Sequence, residues 1–327
     1  MYSAILMAGS NNRTAVRNYK KIVETTYHEK LVYTGYKPLY EFSFEKDGKK
    51  ITKPLIQFTL ENLARNKHIS EIVIVGFIGL IKNKLSDFLK TVKKQIVFVE
   101  QKMEIPDHLQ EELGFSRKDI PHNSICGNII KAYAASGAYK KKEMALFFAA
   151  DTPFTSNDFI ERVLSKSKQI IKTAGGIIPA VYFKTRKDRF RRPLLMLVND
   201  TDEEINAPLD KRGRIGVRIT SLIMINPFII DINGINTVYS LRKALSPKIQ
   251  KQISKICKDL KYHGLFYSYV LKKNLSVRQG EAILSAFFSC DIRSVILADV
   301  KATYDFDGTE QDIKQITDLL EHEKTDK

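Results

Sequence analysis

The chain has 327 residues, 43% hydrophobic and 28% charged, an ordinary composition with length enough for one large or two modest cores. No apolar run reaches the length that spans a bilayer, because MALFFAAD and SLIMINPFII are cut short by polar residues or proline, and MYSAILM lacks the basic lead-in of a signal peptide; the expectation is a cytoplasmic protein. Lysine and arginine outnumber acids 53 to 37, a net charge of +16 that attracts polyanions, although the lysines are scattered as solvated faces would have them.

In chain order, residues 2–7 form an apolar run that empties into Ala8-Gly9-Ser10-Asn11-Asn12-Arg13. Residues 54–63 carry apolar side chains at helical spacing, with Pro54 at the first turn. EIVIVG (71–76) reads as a buried strand, 80–94 as an amphipathic helix, QIVFVE (95–100) as a strand and 127–139 as a helix. MALFFAAD (144–151) is a strand that ends on Asp151. Residues 175–183 and 217–225 read as strands separated by a highly charged stretch, and 295–308 as a strand returning to the sheet. The last helix, 309–323, opens on a capping box with Thr309 as N-cap and Asp312 in the acidic position. Strands alternating with helices imply an α/β fold with a largely parallel sheet and helices on both faces. The expected organisation is a core over 1–235, a helical subdomain inserted at 236–294, and a strand and helix of the core at 295–323. Cys126, Cys257 and Cys290 have no metal-like spacing and imply neither zinc nor a disulfide framework.

Ligands of open parallel sheets sit beyond the carboxyl ends of the strands, so those ends carry the candidates. Gly9 permits close backbone approach, the N–H groups of Ser10, Asn11 and Asn12 suit phosphate oxygens, and Arg13 is a planar cationic fork; a plain strand-to-helix turn accounts for the same residues. Lys37 sits beside Pro38 on a loop, where it would complement a triphosphate or simply face solvent. Asp151, fixed by Thr152-Pro153, suits magnesium, which takes one or two carboxylates, water and phosphate oxygens. Its alternative role as a helix cap is better filled by Thr155 or Ser156. Asp305 and Asp307 fall on one side of an extended chain and repel unless a cation or base lies between them; a solvent-facing edge strand is the alternative. Arg214, Arg218 and Thr220 alternate in phase and could hold an anionic acceptor, or form a solvated basic hairpin.

Taken in order, these pieces resemble the nucleotidyltransferase superfamily that includes molybdenum-cofactor nucleotidyltransferases, cytidylyltransferases and sugar-phosphate pyrophosphorylases. Its loop L-A-A-G-x-G-x-R matches Leu6 to Arg13. Its P-K-x-L matches Tyr36-Lys37-Pro38-Leu39, and its G-K-P-L-I-x-x-x-L-E-x-L matches the stretch from Lys53 to Leu63. Its strand-end D-x-P matches Asp151-Thr152-Pro153, and its closing D-x-D-T-P-E-D-L matches Asp305 to Ile313. The second loop glycine is Asn11 here, the segment from Arg13 to Lys37 is longer than usual, and Tyr36 replaces proline.

The resemblance implies a Rossmann-like sheet of the nucleotide-diphospho-sugar transferase type and attack of an anionic acceptor on the α-phosphorus of a nucleoside triphosphate, with pyrophosphate leaving. On it, Ala8, Gly9, Ser10, Asn11, Asn12, Arg13 and Lys37 hold the triphosphate. Asp151 and Asp307 hold Mg2+. Gly127 and Asn128 lie where the family contacts the base, with helix capping as the bland alternative for Asn128. A phosphate acceptor is already anionic, so no general base is needed. The helical block would cap the acceptor site or form a contact in a homo-oligomer. The rival readings are a glycosyltransferase using a nucleoside-diphosphate sugar through Asp305-Phe306-Asp307 as D-x-D, and a non-catalytic binder of nucleotide or RNA.

Overall fold

The structure is a computed structural model and describes residues 1–9, 30–116, 118, 120–183, 195–201, 205–232, 234–235 and 275–322. Nine strands form the path of a ten-stranded mixed sheet whose centre is parallel. β1 (Tyr2–Ala8) lies between β4 (Ile69–Gly76) and β6 (Ala145–Ala149), and β5 (Gln95–Glu100) continues outward from β4, all in parallel register. On the other side of β6, β10 (Ile223–Ile225) runs antiparallel and links it to β7 (Gly176–Tyr182). β9 (Ile215–Ile219) pairs antiparallel with the far half of β7 and with β8 (Leu195–Val198), and the two-residue β11 (Leu275–Ser276) adds to β8. β12 (Ile292–Leu297) runs parallel along β7.

Period-2 alternation decides which side of the sheet each residue faces. Ala4, Leu6, Ala8, Ile72, Ile74, Leu146 and Phe148 bury against one set of helices, α1 (Leu55–Arg65) and α7 (Asn157–Ser167), through Ile56, Leu60, Leu63, Phe159, Ile160 and Val163. The intervening Ile5, Val73, Val75 and Phe147 bury on the other face against α4 (His108–Leu113) and α5 (Ile125–Ala134), through Leu109, Cys126, Ile129 and Tyr133. Each fully buried leucine or isoleucine contributes about 1.5–3 kcal/mol of transfer free energy, so a one-residue slip of any central strand is strongly disfavoured. This is the α/β architecture with helices on both faces that the alternating pattern implies.

The 41–54 segment forms a hairpin of β2 (Glu41–Lys46) and β3 (Lys49–Pro54) that stands off the main sheet. Asp47 and Gly48 take φ of 53° and 72°, as a two-residue turn of the I′ kind requires. Phe42 and Phe44 on one face of the hairpin meet Phe154, Tyr304, Phe306 and α9 (Glu310–Glu321), making a separate aromatic core.

Several boundaries differ from the sequence expectation. The 80–94 pattern is two helices, α2 (Ile78–Lys84) and α3 (Ser86–Thr91). The 127–139 pattern is also two, because Ser136 caps a new helix, α6 (Gly137–Lys141). The returning strand is Ile292–Leu297, not 295–308; the chain then makes a 3-10 turn at Val300–Thr303 and runs extended without strand pairing to Gly308. Of the expected helical block, 236–274 lies outside the described residues, and Val277–Phe288 is a helix, α8, capped by Ser276 with Gln279.

Candidate functional site

The carboxyl ends of β1, β4, β5 and β6 form one rim, at Ala8, Gly76, Glu100 and Ala149. Ala8 ends β1, and Gly9 follows it. A Cβ built on Gly9 would lie 2.8 Å from Asn128 Nδ2 and 3.4 Å from Gln101 Oε1, so the backbone here is wedged between two amide side chains. Ser10, Asn11, Asn12 and Arg13 lie outside the described residues.

Asn128 sits in the first turn of α5, buried to 4% exposure, and its Oδ1 has no hydrogen-bond partner among the described residues. The capping task belongs to Ser124, whose hydroxyl accepts from Gly127 N at 3.0 Å. That removes the capping explanation of Asn128. Gly127 is constrained by the same cap. Its N–H is spent on the cap, and an added Cβ would lie 2.6 Å from the carbonyl oxygens of Pro121 and His122, so glycine here answers to packing.

Gln101 was not foreseen. It follows the last residue of β5, and its N–H donates to Gly76 O at 2.9 Å. One turn after Asn128, the buried Lys131 donates to Gln101 O at 2.5 Å and Met103 O at 2.9 Å, which fixes the loop that carries Gln101. Burial lowers the Lys131 pKa to about 8, with the Glu100 carboxylate opposing. The signal available in sequence was position alone: a polar residue directly after a buried strand, at the end where ligands collect.

The lysine loop reaches the same rim. The Tyr36 hydroxyl donates to Ala8 O and accepts from Phe77 N at 3.3 Å. Lys37 opens the 3-10 turn Lys37–Leu39, and its Nζ lies 3.4 Å from Asp307 Oδ1. The segment that carries Asp307 is tied to the Asp151 loop, because Phe306 N donates to Asp151 O at 2.8 Å. The Asp151 loop is held by Thr152, whose hydroxyl donates to Ala149 O at 2.9 Å and whose carbonyl accepts from Thr59. Ser156 caps α7 through Phe159 N, so Asp151 has no part in starting that helix.

Along 304–307 the expected alternation holds although the segment is no strand: Tyr304 and Phe306 are buried, Asp305 and Asp307 half-buried on the opposite side. Each acid has a base, Arg218 Nη2 at 2.8 Å from Asp305 and Lys37 at 3.4 Å from Asp307. Asp312 fixes the end of the segment, accepting from Asp307 N at 2.9 Å and Thr309 N at 3.2 Å, while Thr309 Oγ1 accepts from Asp312 N; this is the capping box. Gly308 is required there, at φ +87° with Tyr33 O 2.5 Å from where a Cβ would sit.

The three residues expected at an acceptor divide. Arg214 clasps a turn: its Nε lies 2.9 Å from Asp210 Oδ2, and that contact holds the Asp210 carboxyl far below its usual pKa. Thr220 anchors the strand break, buried, with its hydroxyl 3.1 Å from both Pro179 O and Leu222 O. Arg218 pairs with Asp305, and Ser221, the residue after Thr220, bonds the Thr152 hydroxyl of the Asp151 loop at 2.9 Å.

No group of three or more His, Cys, Asp or Glu side chains gathers among the described residues. A cation here would take the Asp151 and Asp307 carboxylates and complete its shell with water and ligand oxygens, which is the donor set magnesium prefers. Among the described residues no helix is long and apolar enough to cross a membrane.

No protein-family model and no curated protein matches the chain. Solved structures do. One described as a hypothetical transferase from Thermus thermophilus is 14% identical with a TM-score of 0.51, covering 95% of this chain and 99% of that one. A CMP:2-keto-3-deoxy-manno-octonic acid synthetase complexed with CTP is 11% identical with a TM-score of 0.50, covering 98% of each chain. The chain therefore shares its α/β fold, over nearly its whole length, with these two proteins.

Proposed function

We propose that this protein is a nucleotidyltransferase that moves a nucleoside monophosphate from a nucleoside triphosphate to an anionic, phosphorylated acceptor and releases pyrophosphate. The observation that supports the reading is a chain of contacts between segments far apart in sequence at the strand ends: Gly9 against Asn128, Tyr36 to Ala8, Lys37 to Asp307, and Phe306 to Asp151. The match of fold to a synthetase solved with CTP supports the same reading and makes CTP the first nucleotide to try.

In this mechanism Gly9 lets the triphosphate approach the backbone, and the Lys37 ammonium neutralises phosphate charge. The Asn128 Oδ1, buried and unpartnered among the described residues, accepts a hydrogen bond from a base N–H. Asp151 and Asp307 would hold Mg2+, which would supply charge neutralisation at the phosphates. Arg218, oriented by Asp305, holds the acceptor. Alignment and charge neutralisation account for the rate, and no side chain need form a covalent intermediate. The glycosyltransferase alternative uses Asp305 and Asp307 as a metal-binding D-x-D pair, and each of these acids carries a cationic partner here, Arg218 and Lys37.

Incubation with radiolabelled nucleoside triphosphates, magnesium and a panel of phosphorylated metabolites tests the proposal. Labelled product together with free pyrophosphate is the expected result. Product from a nucleoside-diphosphate sugar as sole donor overturns it.

A further inference from the structure

Tyr36 stands where the resembling family has proline, and its surroundings give it more to do than fill that place. Its phenol enters the gap between the carboxyl ends of β1 and β4. The hydroxyl donates to Ala8 O, the carbonyl from which Gly9 departs, and accepts from Phe77 N, the first residue after β4. The ring packs edge-on to Phe77 with centroids 5.2 Å apart. Its own carbonyl accepts from Leu39 N at 3.0 Å and from the Tyr33 hydroxyl at 3.2 Å, closing the turn that Lys37 opens. The space exists because residue 76 is glycine: a Cβ there would lie 2.6 Å from the Tyr36 hydroxyl and 2.7 Å from Ala8 O.

We infer that Tyr36 is a positioning residue that locks the lysine loop to the glycine turn, so that Lys37 and Gly9 address one triphosphate as a unit. The inference rests on the nucleotidyltransferase reading. Proline would stiffen the loop from within but bond nothing, whereas the phenol ties two segments together through a single oxygen. Burial, helped by the Glu100 carboxylate, raises the phenol pKa well above the ordinary tyrosine range, so the hydroxyl keeps the proton it donates to Ala8. Tyr36 reaches the ligand only through Ala8 and Lys37.

The test measures affinity for CTP, UTP, ATP and GTP, each with magnesium, on the full-length wild type and on Tyr36→Phe, Lys37→Met and the double variant. Tyr36→Phe keeps the ring and its packing and is expected to weaken the nucleotide that binds by about tenfold, the scale of one lost positioning hydrogen bond. In the Lys37→Met background the same change is expected to cost much less, because the group it positions is gone. Gly76→Ala, which displaces the phenol by a different route, is expected to reproduce the loss. A merely structural tyrosine would lower the melting temperature and leave nucleotide affinity unchanged; that result, or fully additive losses in the double variant, overturns the inference. If the wild type binds none of the four nucleotides, the nucleotidyltransferase reading itself fails and takes the inference with it.

Discussion

Around Gly9, the rim holds a buried acceptor, Asn128 Oδ1, that is unpaired among the described residues, and the Gln101 side chain approaches the same backbone. Along β9, by contrast, polar groups close on their neighbours: Arg214 on Asp210, Arg218 on Asp305, Thr220 on two carbonyls. An unpaired buried amide oxygen costs stability and persists where a ligand repays it. A closed ion pair needs no ligand to explain it. The β1 side therefore reads as a binding surface and most of the β9 side as scaffold, with Arg218 at the junction.

Asp151→Asn tests the binding side hardest. Metal-dependent turnover is expected to fall by about a thousandfold, the upper range for removing one electrostatic contact to a reacting centre, while the circular dichroism spectrum is unchanged; turnover within a few-fold of wild type would remove Asp151 from the site. Asn128→Leu separates function from stability. It is expected to weaken nucleotide binding about tenfold yet raise stability by about 1 kcal/mol, because a buried unpaired acceptor is exchanged for an apolar group. A destabilised variant would mean that the amide is already satisfied.

At the junction, Arg218→Ala removes the partner held at 2.8 Å from the half-buried Asp305 and should cost about 2 kcal/mol in chemical denaturation. No loss of stability would contradict the reading of that pair as structural. The last prediction concerns pH. Lys131 has a folded pKa lowered to about 8 from 10.5, so between those values the unfolded chain binds more protons and stability rises with pH. The raised phenol pKa values of Tyr36 and Tyr133 oppose this above about pH 10, where unfolded tyrosine begins to lose its proton. Denaturation midpoints of wild type and Lys131→Met between pH 7 and 10 check it, using the ordinary stability window as reference; the rise should vanish in the variant.

The central sheet was legible because its strands are short apolar runs ending in glycine or acid, and their alternation survives folding residue for residue. The rule about strand ends pointed to Gly9 and Asp151, while Lys37 entered as a loop lysine beside Pro38 and Asp307 through its period-2 spacing from Asp305. The hairpin was missed although Asp47-Gly48 between alternating Phe42, Phe44 and Ile51 marked it, because the flanking lysines masked the period-2 pattern. Two long helical patterns proved to be broken helices, since hydrophobic spacing continues across a break that only a cap such as Ser136 reveals. Gln101, the Tyr36 tether and the ion pairs of Arg214 and Arg218 were out of reach for another reason: each depends on which long-range partner a polar side chain finds, and periodicity says nothing about that.

The most direct measurement is the melting temperature of the full-length chain with each of the four nucleoside triphosphates, with magnesium and with chelator. The account predicts that at least one nucleotide stabilises the protein, by about 2.7 kcal/mol at a hundred times its dissociation constant, and that the gain needs magnesium and disappears in Asp151→Asn. A melting temperature indifferent to all four nucleotides, or a shift that survives both chelator and the substitution, would contradict it.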